Sequence, residues 1–306
     1  MTQKRHTFTD AQWQRIELSM PPCKGRPGGA HRPFFDALLW MARTGAPWRD
    51  LPERLGAWNV VYQRYAYWCK KGHFARLFQG VQQPDMEEVM VDSTCCKAHQ
   101  SSAGARKISG PQAIGITRGG LNTKIHAVCD VLGNPLRFVL TAGQRHDSKP
   151  VPELLDGLQA KALLADKAYD SDKIVQASRQ QGMQVIIACR VNRRKNQRVL
   201  DTHRYKARHL VENLFQRMKV FRRVATRYDK LDITFLGFVH IAGIMKSTEL
   251  SEQRLIALWR NCIEGVMNSG LIFPDLPLIP GNDQKALSQR CERRRMELRR
   301  ALPCLD

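Results

Sequence analysis

Among its 306 residues the sequence has no Cys-x-x-Cys pair, no long apolar run, and only 28 acidic residues against 49 lysines and arginines. Each shortage excludes something. Without cysteines at ligand spacing, the nine present do not suggest a structural zinc site. The adjacent Cys95 and Cys96 read as reduced, buried thiols. The longest apolar stretch, FLGFVHIAGIM over 235–245, is too short to cross a bilayer and reads as a core helix. The start, MTQKRHTFTDAQW, has no apolar signal core, so a cytoplasmic, nucleoid-associated protein is expected. The glycines of 115–120 lack the Gly-Lys-Ser/Thr ending of a phosphate loop and read as the turn before a strand. The shortage of acids is the most informative: a formal charge of +21 implies a polyanionic partner, and nucleic acid is the usual one.

Residues 1–78 read as a small all-helical domain. Thr9 or Asp10 can cap a first helix, AQWQRIELSM, which Pro21-Pro22 ends. FFDALLWMART gives a second helix closed by Gly45, and WNVVYQRYAYWCKKG a third stopped by Gly72. Short helices joined by turns, with Arg64, Lys70 and Lys71 on the last, suit a helix-turn-helix-like DNA-binding domain. Trp13, Trp40, Trp48, Trp58 and Trp68 read as its core.

Residues 85–246 alternate strands and helices. Strand-like runs are EEVMVD (87–92), TKIHAVCD (123–130), LRFVLTA (136–142), ALLAD (162–166) and MQVIIAC (183–189), with helices at VPELLDGL and SDKIVQASRQQ. Gly133-Asn134-Pro135 turns the second run into the third as an antiparallel hairpin, and the later units should run parallel. A three-strand meander followed by β-α-β units is the order of a ribonuclease-H-like α/β fold. In it the first and fourth strands are neighbours, which would bring Asp92 and Asp166 together at the sheet's centre. Residues 247–306 differ: nine Lys/Arg balance eight Asp/Glu, so the excess charge lies before them, and an atypical C-terminal tail is expected.

A third acid follows on a helix. Tyr205, Arg208, Glu212 and Lys219 stand at offsets 0, 3, 7 and 14, which at about 100° per residue places them on one face roughly 60° wide. Leu210, Val211, Leu214, Phe215, Met218 and Phe221 form a separate apolar face. Phosphodiester hydrolysis and strand transfer need hard cations to activate the attacking oxygen and stabilise the leaving one, and Mg2+ takes carboxylate oxygens. Asp92, Asp166 and Glu212 could meet for that purpose, with Arg208 one turn before Glu212 and Lys219 two turns after it. The basic run 190–198, RVNRRKNQR, reads as a loop able to track DNA backbone or simply as a solvated loop. For His99, His126 and His146, core or surface roles are expected ahead of a place at the site.

The spacing Y-x2-R-x3-E-x6-K formed by Tyr205, Arg208, Glu212 and Lys219 resembles the signature around the third acid of insertion-sequence DDE transposases of the insertion-sequence-four and -five lineage. VMVDSTCCKAHQSSAGARK, LLADKAYDSD, GITRGGLNTKIHAVCDVLGNP and TGAPWRDLPERLGAWNVVYQRYAYWCKKG also resemble the insertion-sequence-five type, and the likeness covers roughly 5–245. It implies a ribonuclease-H-like, retroviral-integrase-like catalytic domain. It further implies Asp92, Asp166 and Glu212 as catalytic metal ligands for two Mg2+, with Mn2+ able to substitute. Tyr205, Arg208 and Lys219 are then expected at DNA, with Lys167 and Arg64 as further contacts. The partners implied are double-stranded DNA, as inverted-repeat ends and target, and a homodimer or larger assembly. A DNA-binding remnant without activity, and a ribonuclease-H-like nuclease acting on branched DNA, are the competing readings. The tail after 246 departs from the resemblance, as a fused or frameshifted end would.

Overall fold

The computed structural model describes residues 6–20, 31–104, 110–193 and 197–249. Apolar residues alternating along the strands build a sheet whose two faces both need cover. Its strands are β1 (Glu88–Ala98), β2 (Gly115–Thr117), β3 (Gly120–Asp130), β4 (Pro135–Ala142), β5 (Ala162–Ala165), β6 (Gln184–Ile187) and β7 (Thr226–Arg227). β3 lies antiparallel between β1 on one side and β4 with the short β2 on the other. β5 and β6 continue the sheet in parallel from β1, and β7 pairs with the far end of β1 where β5 has ended. The main order β4-β3-β1-β5-β6, three strands antiparallel and two parallel, is that of a ribonuclease-H-like fold.

One face holds Val89, Val91, Val128, Leu163 and Ala165 against α5 (Val151–Leu155) and α6 (Asp172–Gln180). The other holds Met90, Cys96, Ile125, Ala127 and Leu164 against α8 (His209–Lys219) and α10 (Asp232–Thr248). Between them, α7 (Thr202–Tyr205) leads by a 3-10 turn into α8, and α9 (Arg222–Ala225) links α8 to β7. α10 contains the apolar 235–245 run and buries Phe235, Phe238, Val239, Ile241, Ala242 and Ile244. No helix among the described residues is long and apolar enough to cross a membrane.

Four helices precede the sheet: α1 (Asp10–Leu18), α2 (His31–Thr44), α3 (Trp58–Lys70) and α4 (His73–Gly80). Thr9 caps α1 in a reciprocal box with Gln12. All four bury apolar side chains in the core that α10 shares. At Gly237 on α10 a Cβ would sit 2.6 Å from Cys69 Sγ and 2.7 Å from Tyr65 Oη, so only glycine admits this approach of α3.

Several sequence expectations need correction. The first strand does not end at Asp92; it runs on to Ala98, because Ser93–Lys97 pair with β3 although their side chains are mostly polar. Residues 115–120 are more than a turn, since 115–117 form β2. Gly72 ends α3 with a left-handed backbone, φ 67°, and α4 follows at once, an element the sequence pattern had not suggested. α2 and α3 are joined by residues 45–57 with two 3-10 turns, longer than a helix-turn-helix link. Cys95 is exposed and Cys96 buried, as alternation on one strand requires. Trp58 is 38% exposed. Pro21-Pro22 and, from residue 250 on, the expected tail lie outside the described residues.

Candidate active site

β1 and β5 run parallel in register, Val91 opposite Ala165 on the last paired rung. Asp92 and Asp166 each follow directly on those rungs, on strands spaced about 4.8 Å apart. The buried sequence Ala162–Ala165 carries the second aspartate to the strand end, and there Asp166 Oδ1 accepts the Ala168 N–H at 2.7 Å to cap the 3-10 turn 167–169. Asp92 Oδ1 accepts the Ser93 N–H at 2.8 Å.

α8 presses Val211, Leu214, Phe215 and Met218 into the core and leaves Glu212 and Lys219 on its exposed side. Arg208, in the 3-10 turn just before α8, joins the acids: its guanidinium donates to Asp92 Oδ2 at 3.1 Å and to Glu212 Oε1 at 2.5 Å. The helical stripe read from Tyr205 to Lys219 therefore falls on three helical pieces, with Tyr205, Arg208 and Glu212 in different pieces. Burial raises the Asp92 carboxyl to about 6; the Ser93 amide and Arg208 oppose the rise, and the charges of Asp166 and Glu212 add to it. Asp92, Asp166 and Glu212 thus share one electrostatic neighbourhood.

In kind, an all-carboxylate donor set fits a hard divalent cation. As the side chains stand, no three carboxylate, His or Cys groups among the described residues are close enough to grip one ion, and Arg208 supplies the positive charge between Asp92 and Glu212.

The other expected residues are placed unevenly. Lys167 is exposed, directly after Asp166. Tyr205 is half-buried against the core. Arg64 rests on aromatic rings: its guanidinium lies 4.2 Å from the Phe34 ring centre and 5.7 Å from that of Trp68, and 2.8 Å from His31 Nδ1. His126 is buried and bonded to Thr141, the His99 ring lies tilted against Tyr228, and His146 bonds Ser148.

One cluster was missed. Asp170, four residues beyond Asp166, is buried between Arg193 and Arg198, each at 2.6 Å, and accepts the Arg190 N–H at 2.9 Å. The Arg190 side chain donates to the carbonyls of Lys167 and Ala168. The basic run is in part an anchor for the turn after Asp166; the opposed charge of DKAYDSD and RVNRRKNQR was the available signal. A separate cleft of about 270 Å3, lined by residues including Trp48, Trp58, Tyr62 and Tyr228, contains none of the three acids.

A ribonuclease-H-like sheet with acids on two adjacent strands and on the covering helix defines a class of enzymes acting on phosphodiesters. Residues 83–245 match the family model "Transposase DDE domain", and 8–78 match "Putative transposase of IS4/5 family". The chain belongs to the DDE transposases of insertion sequences, which catalyse DNA cleavage and strand transfer. It is 37% identical over 127 residues to a putative transposase for insertion sequence element IS6501 of Brucella ovis, spanning 41% of this chain and 97% of that protein. An uncharacterized protein, y4sN, of Sinorhizobium fredii is 46% identical over 105 residues, 33% of this chain and 84% of that one. Among solved structures, the piggyBac transposase synaptic complex with hairpin DNA aligns with a TM-score of 0.47 at 13% identity, over 90% of this chain and 84% of that one.

Proposed function

We propose that this transposase binds the inverted-repeat ends of its element as duplex DNA and cuts there with Asp92, Asp166 and Glu212 as its metal-holding acids. The observation that carries the reading is the register of β1 and β5, which brings Asp92 and Asp166 side by side just past the last paired rung, while Arg208 bonds both Asp92 and Glu212. Two Mg2+, with Mn2+ able to substitute, would be held by Asp92, Asp166 and Glu212 and would supply activation of the attacking oxygen and stabilisation of the leaving one.

In the first step a water oxygen attacks phosphorus at the repeat's edge, the bond from phosphorus to the 3′-oxygen breaks, and a 3′-hydroxyl is released. In the second, that hydroxyl attacks a target phosphodiester, so one bond replaces another and no protein–DNA bond forms. Arg208, released from its carboxylates, offers a forked cation for two phosphate oxygens, and Lys219 and Lys167 offer point charges beside it. Tyr205 lines the same approach. Two ends must be held together, which requires a homodimer or larger assembly, and the work is placed at the nucleoid in the cytoplasm. The helices of residues 1–78 form the end-binding part, 85–246 the catalytic part.

Incubating the protein with a labelled duplex carrying the element's terminal repeat, with and without Mg2+ or Mn2+, tests this. Metal-dependent nicking at the repeat's edge supports it. Binding without nicking would sink it in favour of a silent remnant, and a preference for branched junctions over repeats would favour a nuclease.

A further inference from the structure

α3 has two faces of different chemistry. Val61, Tyr65, Trp68 and Cys69 are buried against the core. On the opposite side, taking Asn59 as 0° and about 100° per residue, Lys70 falls near 20°, Gln63 near 40°, Tyr67 near 80° and Val60 near 100°. All five are exposed, Val60 by 62% and Tyr67 by 55%. The helix contains no acidic residue. Asn59 is braced, its side-chain oxygen accepting the Val60 N–H at 2.9 Å. Arg64, the cation first expected at DNA, is turned away from this face onto Phe34 and Trp68.

We infer that the face of α3 formed by Asn59, Val60, Gln63, Tyr67 and Lys70 enters the major groove of the transposon end and reads its bases. This rests on the reading of the chain as an end-binding transposase. A helix of 13 residues is about 20 Å long and fits a major groove about 12 Å wide. Asn59 and Gln63, one turn apart, each carry a donor beside an acceptor, the pattern that matches N6 and N7 of adenine. Val60 offers a methyl surface to a thymine methyl group. Lys70, two turns beyond Gln63, reaches for backbone phosphate. A second copy of the same basic chain is a poor occupant, because like charges would face each other across the contact.

The test is competition binding by the full chain at fixed salt, with the terminal-repeat duplex, a shuffled duplex of equal composition, and repeats bearing 7-deazaadenine at single positions. Wild type should prefer the repeat and lose affinity at one or two deaza positions. Asn59→Ala with Gln63→Ala should lower that preference roughly tenfold or more and become insensitive to the deaza substitutions, with its affinity for shuffled duplex and its thermal unfolding unchanged. Lys70→Ala should weaken both duplexes alike and reduce the salt slope by about one. If wild type prefers the repeat and the double variant keeps both the preference and the deaza sensitivity, the assignment of α3 is overturned while end binding stands. If wild type has no preference, the end-binding reading itself falls. Loss of self-association in the variant with preference intact would make the face a protein interface and overturn the inference too.

Discussion

At the acid-bearing end of the sheet the cations are met by carboxylates: Arg208 by Asp92 and Glu212, Arg193 and Arg198 by Asp170. Around α3 they lie on rings: Arg64 over Phe34, Arg49 over Trp58, Lys71 over Tyr67. A guanidinium held by two carboxylates presents little net charge to a phosphate until something else neutralises those acids. A cation resting on a ring keeps its charge for a polyanion. The difference separates chemistry from recognition, and the two should fail independently.

The largest expected effect breaks chemistry alone. Glu212→Gln should lower nicking on the order of a thousandfold or more, while end binding measured by gel shift stays close to wild type. Adding a chelator to wild type should give the same split. Loss of binding together with cleavage would show that the two regions are not separable.

Next in size is the anchor behind Asp166. The Asp170 side chain is 1% exposed, and burial would raise its carboxyl, but the bonds from Arg198 and the Arg190 amide, with the charges of Arg198 and Arg193, hold it below the usual range. Its stabilisation is therefore present above about pH 4 and is lost as pH falls through the depressed value. Asp170→Ala leaves two cations facing each other and should cost about 3–5 kcal/mol in denaturant unfolding. A cost below about 1 kcal/mol would mean water already screens the cluster.

A comparable but pH-confined effect belongs to the junction between the helical layer and the sheet. His240 on α10 is buried between Phe78 and Phe138, and burial lowers it to about 4 from 6.5. The unfolded chain binds a proton there below about pH 6.5 and the folded chain does not, so stability should fall between about 6.5 and 4, by about 3 kcal/mol in all. His126, lowered to about 4 by burial, contributes in the same window. His240→Phe should halve the slope of stability against pH; an unchanged slope would show that folding does not alter the proton affinity of His240. The smallest effect is at Lys219, exposed at the end of α8: Lys219→Ala should reduce the salt slope of binding by about one without changing preference among duplexes.

How legible each region was follows from the same contrast. The places of Asp92 and Asp166 could be read because a parallel register is fixed by two short apolar runs, and Glu212 because its helix separates polar from apolar faces. The extent of β1 could not, since Ser93–Lys97 belong to the sheet by backbone pairing with β3 and carry little apolar pattern. Nor could Arg64, whose place is set by rings on α2 and α3 that meet only after folding. Local spacing shows which side of a helix is polar. It does not show which polar groups the rest of the chain has already taken.

The central claim is that Asp92, Asp166 and Glu212 act as one site. Mg2+-dependent nicking should be measured for Asp92→Asn, Asp166→Asn, Glu212→Gln and the triple variant on one repeat duplex. Groups acting as a unit lose nearly the same activity singly as together, and that is the result expected here. Nicking at wild-type rate by any single variant, or losses that multiply in the triple variant, would contradict the account.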